Sequence, residues 1–414
     1  MAKKNYTKCS FCGKSKADTL LLIEGVDACI CENCAEQAAN IVDAELGGEF
    51  TPKQKSGSAA PKMLLKPIDI KAHLDQYVIG QEDAKKVIAV AVYNHYKRLN
   101  QKANKDDVEI EKSNIVMVGQ TGTGKTLIAK SVARLLNVPF TIVDATVFTE
   151  AGYVGEDVES IISRLLQVCD YNVSKAEQGI VFIDEIDKLS RKGDNPSLTR
   201  DVKEGTQQAL LKLLEGTEVL VPPQGGRKHP EQSFTKVNTK NILFICGGSF
   251  DGIESIISKR LQTASIGFKK QDEKDIIEKE NYLEYITQKD LRSYGMIPEL
   301  IGRLPVLCHL NPLDKDALRD ILTKPKNALL KQYQKLFDIE NIKLEFDDDA
   351  IEFIIDKAFE YKLGARGLRS ICEAIITDAM FELPSKEGIA EFIVSRTYAE
   401  EKVNKSKISK LKIA

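Results

Sequence analysis

Short, nearly unbroken apolar runs recur through the middle of the chain, and each is followed by apolar positions at helical spacing. The runs are Asn114–Val118 (NIVMV), Phe140–Asp144 (FTIVD), Ile180–Ile183 (IVFI), Asn241–Cys246 (NILFIC) and Val306–Leu310. A strand that is apolar at every position has no solvent face. It belongs in a parallel sheet covered by helices on both sides. The pattern therefore predicts an α/β large domain over residues 64–311. Beyond it, amphipathic helical spacing takes over, broken by a short strand at Lys343–Phe346, which predicts a smaller α-rich domain over 312–414. Residues 47–63 (GGEFTPKQKSGSAAPKM) have no hydrophobic period and read as a flexible linker. Ahead of it, residues 1–46 form a small cysteine-dense domain of their own.

Composition narrows the function classes. A chain of 414 residues with 43% hydrophobic positions is expected to form two or three domains. The formal charge of −2 argues against a protein that coats nucleic acid. No apolar run approaches the ~20 residues of a membrane span. The basic first residues lead into no apolar stretch of the kind a signal peptide needs. A cytoplasmic location is expected, where the nine cysteines stay reduced and their grouping points to metal rather than disulfides.

The first strong chemical signal is Gly119-Gln120-Thr121-Gly122-Thr123-Gly124-Lys125-Thr126, which fits G-x-x-x-x-G-K-[ST] in full. It lies between the NIVMV strand and the helical segment LIAKSVARLL, the setting of a phosphate-binding loop. Glycines let backbone N–H groups curl around phosphate oxygens, and the helix N-terminus adds a favourable dipole. Lys125 is expected to reach the β- and γ-phosphates of ATP, and Thr126 to ligate Mg²⁺. Further on, the IVFI strand runs into Asp184 and Glu185. Asp184 is placed to hold Mg²⁺, and Glu185 to polarise the attacking water as general base.

Cys9-x-x-Cys12 and Cys31-x-x-Cys34 supply a second signal, with 18 residues between the pairs. Four thiolates make a closed tetrahedral zinc site without an open position, so one structural Zn²⁺ per chain is expected. Cys29 lies close by, but only Cys31 makes the two-residue bite with Cys34, and Cys29 is read as a bystander. Cys169, Cys246, Cys308 and Cys372 stand singly in apolar contexts and read as core residues. The small domain also carries more apolar residues than so short a core requires: Leu20, Leu21, Leu22, Ile23, Ile30, Ile41 and Val42. That surplus favours protein binding or self-association over nucleic acid.

A four-cysteine module, a linker, a P-loop ATPase and a helical C-terminal domain together resemble the ClpX family, AAA+ unfoldases that feed proteins to the ClpP peptidase. The resemblance spans residues 5–400. It implies that Val78 and Ile79, in Val78-Ile79-Gly80-Gln81, cradle adenine. Tyr153 and Val154, within Gly152-Tyr153-Val154-Gly155, match the axial pore loop that grips substrate. Arg227, Lys228 and His229 match the cationic loop at the pore mouth, and the stretch from Ser190 to Arg200 corresponds to a second pore loop. Ile266, Gly267 and Phe268 match the tripeptide that docks on ClpP. Arg303, in Gly302-Arg303-Leu304-Pro305, matches an arginine finger acting on a neighbouring subunit. Arg366, in Gly364-Ala365-Arg366-Gly367, matches the sensor-2 arginine acting in cis. Gln120 and Thr123 stand where the family often has Pro and Ser. Ser249 is the nearest polar candidate for sensor 1.

The resemblance implies an ATP-dependent unfoldase and translocase: a homo-hexamer using ATP, Mg²⁺ and structural Zn²⁺, with a ClpP-type peptidase, protein substrates and adaptors as partners. No intrinsic peptidase is expected, since the chain holds neither H-E-x-x-H nor G-x-S-x-G. Neither nucleic acid nor membrane is expected as a partner. The competing expectations are a nucleic-acid-acting AAA+ ATPase and an HslU-like unfoldase, a family without the four-cysteine module.

Overall fold

A computed structural model describes residues 8–15, 19, 21–24, 28–35, 37–38, 65–101, 108, 110–149, 156–190, 198–222, 234–263, 282–361, 364–386 and 388–406. The chain divides into two compact units, Met1–Ala59 and Ala60–Ala414. The expected linker at 47–63 lies outside the described residues, as do Tyr153 and Val154, Arg227 to His229, and Ile266 to Phe268.

The larger unit is built on five parallel strands: β1 (Ile115–Val118), β2 (Phe140–Asp144), β3 (Ile180–Asp184), β4 (Leu243–Gly248) and β5 (Val306–His309). Their order across the sheet is β5-β1-β4-β3-β2. Strand β1 therefore sits beside β4, which arrives far later in the chain. This order places the C-terminal ends of β1, β3 and β4 next to one another. In parallel α/β sheets the ligand crevice lies at that edge.

The apolar runs are long because both faces are buried. Val116, Val118, Val181, Ile183, Phe244 and Cys246 pack on one side with Ile161 and Leu165 of α4 (Ser160–Val168) and Leu210 and Leu213 of α5 (Leu198–Glu215). The alternate residues Ile115, Met117, Ile180, Phe182, Leu243 and Ile245 face the other way. They meet Ile70 and Leu74 of α1 (Pro67–Asp75), Ile88 and Val92 of α2 (Glu82–Asn100), and Ile128 and Val132 of α3 (Lys125–Leu136). The period of two along each strand sorts side chains into these two cores. Strand ends differ from the sequence-based bounds by one or two residues, mainly in β4, where Gly247 and Gly248 extend the pairing.

Helix α3 starts at Lys125, two residues ahead of the apolar pattern, because Gly124 adopts φ 106° and turns the chain directly into the helix. It stops at Asn137, which takes the left-handed conformation favourable for a C-cap. Past β5, among the described residues, five helices of nine or more residues surround one parallel strand pair, Lys343–Phe346 with Glu391–Val394. Leu318, Leu322, Phe337, Ile354, Ile371 and Ile375 form a core separate from those of the sheet. No helix among the described residues is long and apolar enough to cross a membrane.

In the smaller unit, a two-stranded antiparallel pair joins Leu22–Glu24 to Cys29–Cys31. A tight turn after Cys12 uses Gly13 at φ 74°, and the Gly13 N–H donates to the Cys9 carbonyl at 2.9 Å.

Candidate ATP and zinc sites

The loop after β1 lies at the edge where β3 and β4 end. Gly119 must be glycine, because a Cβ there would lie 2.9 Å from the Leu310 Cβ and 3.0 Å from the Leu310 carbonyl oxygen. The Gly119 N–H donates to Gly248 at the end of β4, 3.2 Å away. Thr123 closes the turn by donating its hydroxyl to the Gln120 carbonyl at 2.8 Å. The Lys125 ammonium donates to the carbonyls of Gly119, at 2.5 Å, and Gln120, at 2.9 Å. Burial lowers the Lys125 pKa, while Asp184 and Asp187 oppose that shift. The lysine thus points across the mouth of the loop on which it sits.

Strand β3 delivers the carboxylates. The Thr126 hydroxyl donates to Asp184 Oδ2 at 3.2 Å, and Asp184 Oδ1 accepts the Glu185 N–H at 3.0 Å. Glu185 has φ 56°, a left-handed conformation uncommon for a residue with a side chain. It turns the chain sharply out of the sheet into the short helix Ile186–Leu189. Such strain at a non-glycine residue is found where a functional side chain has to be aimed. Thr126 and Asp184 provide adjacent hard oxygen donors, the chemistry Mg²⁺ selects.

Lys125, Thr126, Asp184, Glu185 and Ser249 line one cavity of about 580 Å³ together with Ala365, Arg366, Arg369 and Ser370 of the helix Gly364–Glu382. Gly364 has φ 58°, and a Cβ there would lie 3.0 Å from the Thr121 carbonyl oxygen. The helical core thereby brings two arginines to the phosphate loop. The cavity is large enough for a nucleotide, and its lining combines Lys125, Arg366 and Arg369 with the carboxylates of Asp184 and Glu185.

Not every expected site residue meets here. Arg303 lies apart from the cavity, with its Nε and Nη2 donating to Glu215 at 3.0 and 2.9 Å and its side chain about half exposed. Val78 is buried in the core shared with α1 and α2, Ile79 is half-buried, and neither lines the cavity. Their segment is nonetheless tightly anchored. Gly80 and Gln81 both take positive φ, and the Gln81 amide exchanges two 2.8 Å hydrogen bonds with the Asn311 backbone. The Gln76 carbonyl accepts the Lys326 N–H at 2.8 Å. This segment is therefore tied at one end to the chain leaving β5 and at the other to the turn after the helix Lys315–Thr323.

Sequence reasoning misses Asp187 and Arg369. Asp187 is 2% exposed and accepts both the Ser249 N–H and hydroxyl at 3.2 Å, which fixes Ser249 at the cavity wall. Gly248 leaves room for this pair, since a Cβ there would lie 2.6 Å from Asp187 Oδ1. The repeat of acids in Asp184-Glu185-Ile186-Asp187 is the signal that could have found it. Arg369 follows Arg366 by one helical turn, and that spacing alone places both on one face.

In the smaller unit the sulfur atoms of Cys9, Cys12, Cys31 and Cys34 all lie within 4.8 Å of one another. The Cys31 N–H donates to the Cys9 sulfur at 3.3 Å, the kind of backbone contact that stabilises a thiolate. Four converging thiols fit Zn²⁺. Cys29 is excluded from the group. Its thiol donates to the Lys8 carbonyl at 2.6 Å, and its N–H donates to the Ser10 hydroxyl at 3.0 Å. Cys246, Cys308 and Cys372 are buried in the cores, where burial pushes each thiol up to about 12. Cys169 is likewise buried, with its thiol pushed up to about 11.

Comparison with known proteins agrees with this geometry. Residues 7–44 match the ClpX C4-type zinc finger, residues 110–307 the AAA domain (Cdc48 subfamily), and residues 313–395 the C-terminal, D2-small domain of ClpB protein. The chain is 61% identical over 412 residues to the ATP-dependent Clp protease ATP-binding subunit ClpX of Bacteroides thetaiotaomicron, covering 99% of each chain. The protein of the same description from Bacteroides fragilis is 60% identical over 416 residues, covering 100% of this chain and 99% of its own. That from Porphyromonas gingivalis is 57% identical over 403 residues, covering 97% of each.

Proposed function

The chain belongs to the ClpX family, and on that basis we propose that it is an ATP-driven protein unfoldase that delivers substrates to a ClpP-type peptidase. The observation that carries this reading is the shared cavity. Lys125, Asp184 and Glu185 from the sheet face Arg366 from the helical core, so nucleotide held there acts on both parts at once. Turnover at such a junction moves one part against the other, which is what a motor requires.

Each residue has a role in that cycle. Backbone N–H groups from Gly119 to Thr126 and the Lys125 ammonium hold the phosphates, and Thr126 with Asp184 holds Mg²⁺. Mg²⁺ held by these two oxygen donors would supply positive charge to the phosphates. Glu185 accepts the proton of the attacking water. Arg366 in cis, and Arg303 reaching a neighbouring subunit, neutralise charge on the transferred phosphoryl group. Ser249, held by Asp187 at the cavity wall, senses that group. Ile79, half-buried, and Val78 behind it bound the adenine beyond the described cavity lining. Arg303 needs a neighbour to act upon, and six copies closing into a ring meet that need. The large domain of 64–311 and small domain of 312–414 are the two moving parts, and 47–63 tethers the zinc domain.

Tyr153 and Val154 grip the substrate chain, Arg227, Lys228 and His229 select its end, and Ile266, Gly267 and Phe268 engage the peptidase. The zinc domain exposes Phe11, Leu21 and Ile23, an apolar surface suited to self-association or adaptor binding. The cytoplasm is the working location. The four-thiol module separates the chain from HslU-like unfoldases, and a nucleic-acid-acting ATPase is not favoured by any feature of the site.

ATP turnover measured with a tagged or unfolded protein, and separately with single-stranded DNA, tests the reading. Stimulation by protein is expected. Stimulation by DNA alone would overturn it. Glu185→Gln is expected to bind ATP yet lose about 10²–10⁴-fold in turnover.

A further inference from the structure

Glu185 and Arg303 belong to separate segments of the chain, and one buried side chain joins them. Gln207, at the middle of α5, is fully buried. Its Nε2 donates to the Leu189 carbonyl at 2.7 Å. Its Oε1 accepts the Ile297 N–H at 2.9 Å. Leu189 ends the short helix that Glu185 opens, and the Lys188 N–H donates back to the Glu185 carbonyl at 3.0 Å. Ile297 caps the helix Pro298–Gly302, and Arg303 caps its other end. A primary amide carries a donor and an acceptor on one rigid plane, so a single uncharged side chain can satisfy both backbone groups.

The same α5 helix holds the arginine itself. Glu215, at its C-terminal end, accepts the Arg303 guanidinium. Asn114, immediately before β1, donates to the Arg303 carbonyl at 2.9 Å and accepts the Phe244 N–H at 3.3 Å. The arginine segment is thereby referenced to α5 and to the base of the strand that carries the phosphate loop.

We propose that Gln207 is a positioning residue for ATP hydrolysis, setting the Glu185 turn and the Arg303 segment in one fixed relation. It is fully buried outside the cavity lining, and it acts through the two segments it connects. The proposal rests on the roles given above to Glu185 and Arg303. Small misplacement of a general base or of a charge-stabilising group lowers turnover steeply while leaving ground-state binding nearly intact.

Steady-state ATPase measurements on the full-length chain test this. Gln207→Met fills the space but makes neither bond, and its kcat is expected to fall by about 10-fold or more with KM nearly unchanged. That loss should shrink in an Arg303→Ala background, because residues acting through one another are not additive. Gln207→Glu can accept from Ile297 in either protonation state, but it can donate to Leu189 only when protonated. Its activity relative to the parent should therefore rise as pH falls, burial having raised its carboxyl pKa. A Gln207→Met kcat equal to the parent's overturns the proposal. So does a loss of kcat that follows a loss of ring mass or melting temperature, since that marks a structural role. If Gln207→Met does not fold, the pH profile of Gln207→Glu decides, and a flat ratio to the parent overturns it. Full turnover in Glu185→Gln or Arg303→Ala would instead sink the reading of the site itself, whatever Gln207 does.

Discussion

The zinc module and the ATP cavity hold their functional groups by opposite means. In the module, the buried apolar side chains among the described residues are Cys9, Cys29 and Cys31, while Phe11 is 70% and Leu21 58% exposed. Two of these three, Cys9 and Cys31, are themselves ligands. At the cavity, every residue of β1 is fully buried, two cores clamp the sheet, and the functional groups are attached to its edge. With so little apolar surface buried, the first geometry is expected to depend on its metal. The second stands on apolar packing, and its ligand does not have to build it.

Removing zinc should separate the two regions most strongly. Structural zinc contributes on the order of 10 kcal/mol or more to a module of this size, far beyond what so few buried side chains supply. Treating the full-length chain with a chelator, or replacing Cys31 with Ser, should abolish hydrogen-exchange protection over 8–38. Protection over β1, β3 and β4 should remain, along with basal ATP turnover. Parallel loss of protection in the sheet would break the comparison, because the sheet would then depend on the metal as well.

The contrast also explains which features are legible in the sequence. The zinc ligands are legible because a tetrahedral site built from two short bites leaves its spacing in the chain. The five strands are legible because residues buried on both faces must be apolar at every position, as in Ile180–Ile183. The strand order is not. Pairing β1 with β4 depends on contacts such as Ile115 with Ile245, which leave no local trace. The same holds within the site. Asp184 and Thr126 announce themselves by motif, but Asp187 acts through Ser249, a partner 62 positions away. Gln207 reads as an ordinary polar helix residue until Leu189 and Ile297 are seen on either side of it. Arg303 and Arg366 are legible only through family resemblance, and they sit differently: one lines the cavity and the other is paired with Glu215 outside it.

Preorganisation of the cavity can be tested with one methyl group. In Gly119→Ala the new Cβ would sit 2.9 Å from Leu310 Cβ, with the Leu310 backbone oxygen at 3.0 Å. Backbone cannot swing aside as a side chain can, so the loop itself has to shift, at a cost of about 1–3 kcal/mol. The expected outcome is a KM for ATP raised by roughly an order of magnitude, that energy being lost from phosphate binding. The melting temperature should fall by only a few degrees, read by calorimetry on the full chain. An unchanged KM would mean that the loop tolerates displacement, and that the site is shaped by nucleotide rather than built in advance.

The smallest expected effect discriminates most finely, because it asks whether the module's core is anything besides its ligands. Cys29 is buried beside the four thiols, yet its sulfur donates to the Lys8 carbonyl. A thiol that donates is protonated, whereas a zinc ligand must be a thiolate, so the two roles exclude each other. Cys29→Ala removes the S–H donor and keeps most of the apolar volume, which should cost about 1 kcal/mol. Zinc stoichiometry should stay at the parent's value, and zinc should be lost at only slightly lower chelator concentrations. Cys12→Ser, which removes one of the four converging thiols, should sharply lower zinc retention in the same titration. If Cys29→Ala lost zinc as readily as Cys12→Ser, Cys29 would be a ligand and the four-thiol assignment would be wrong. If the two variants separate as expected, Cys29 is the one described buried residue of the module that packs without ligating, a small remnant of the kind of core that the sheet has in full.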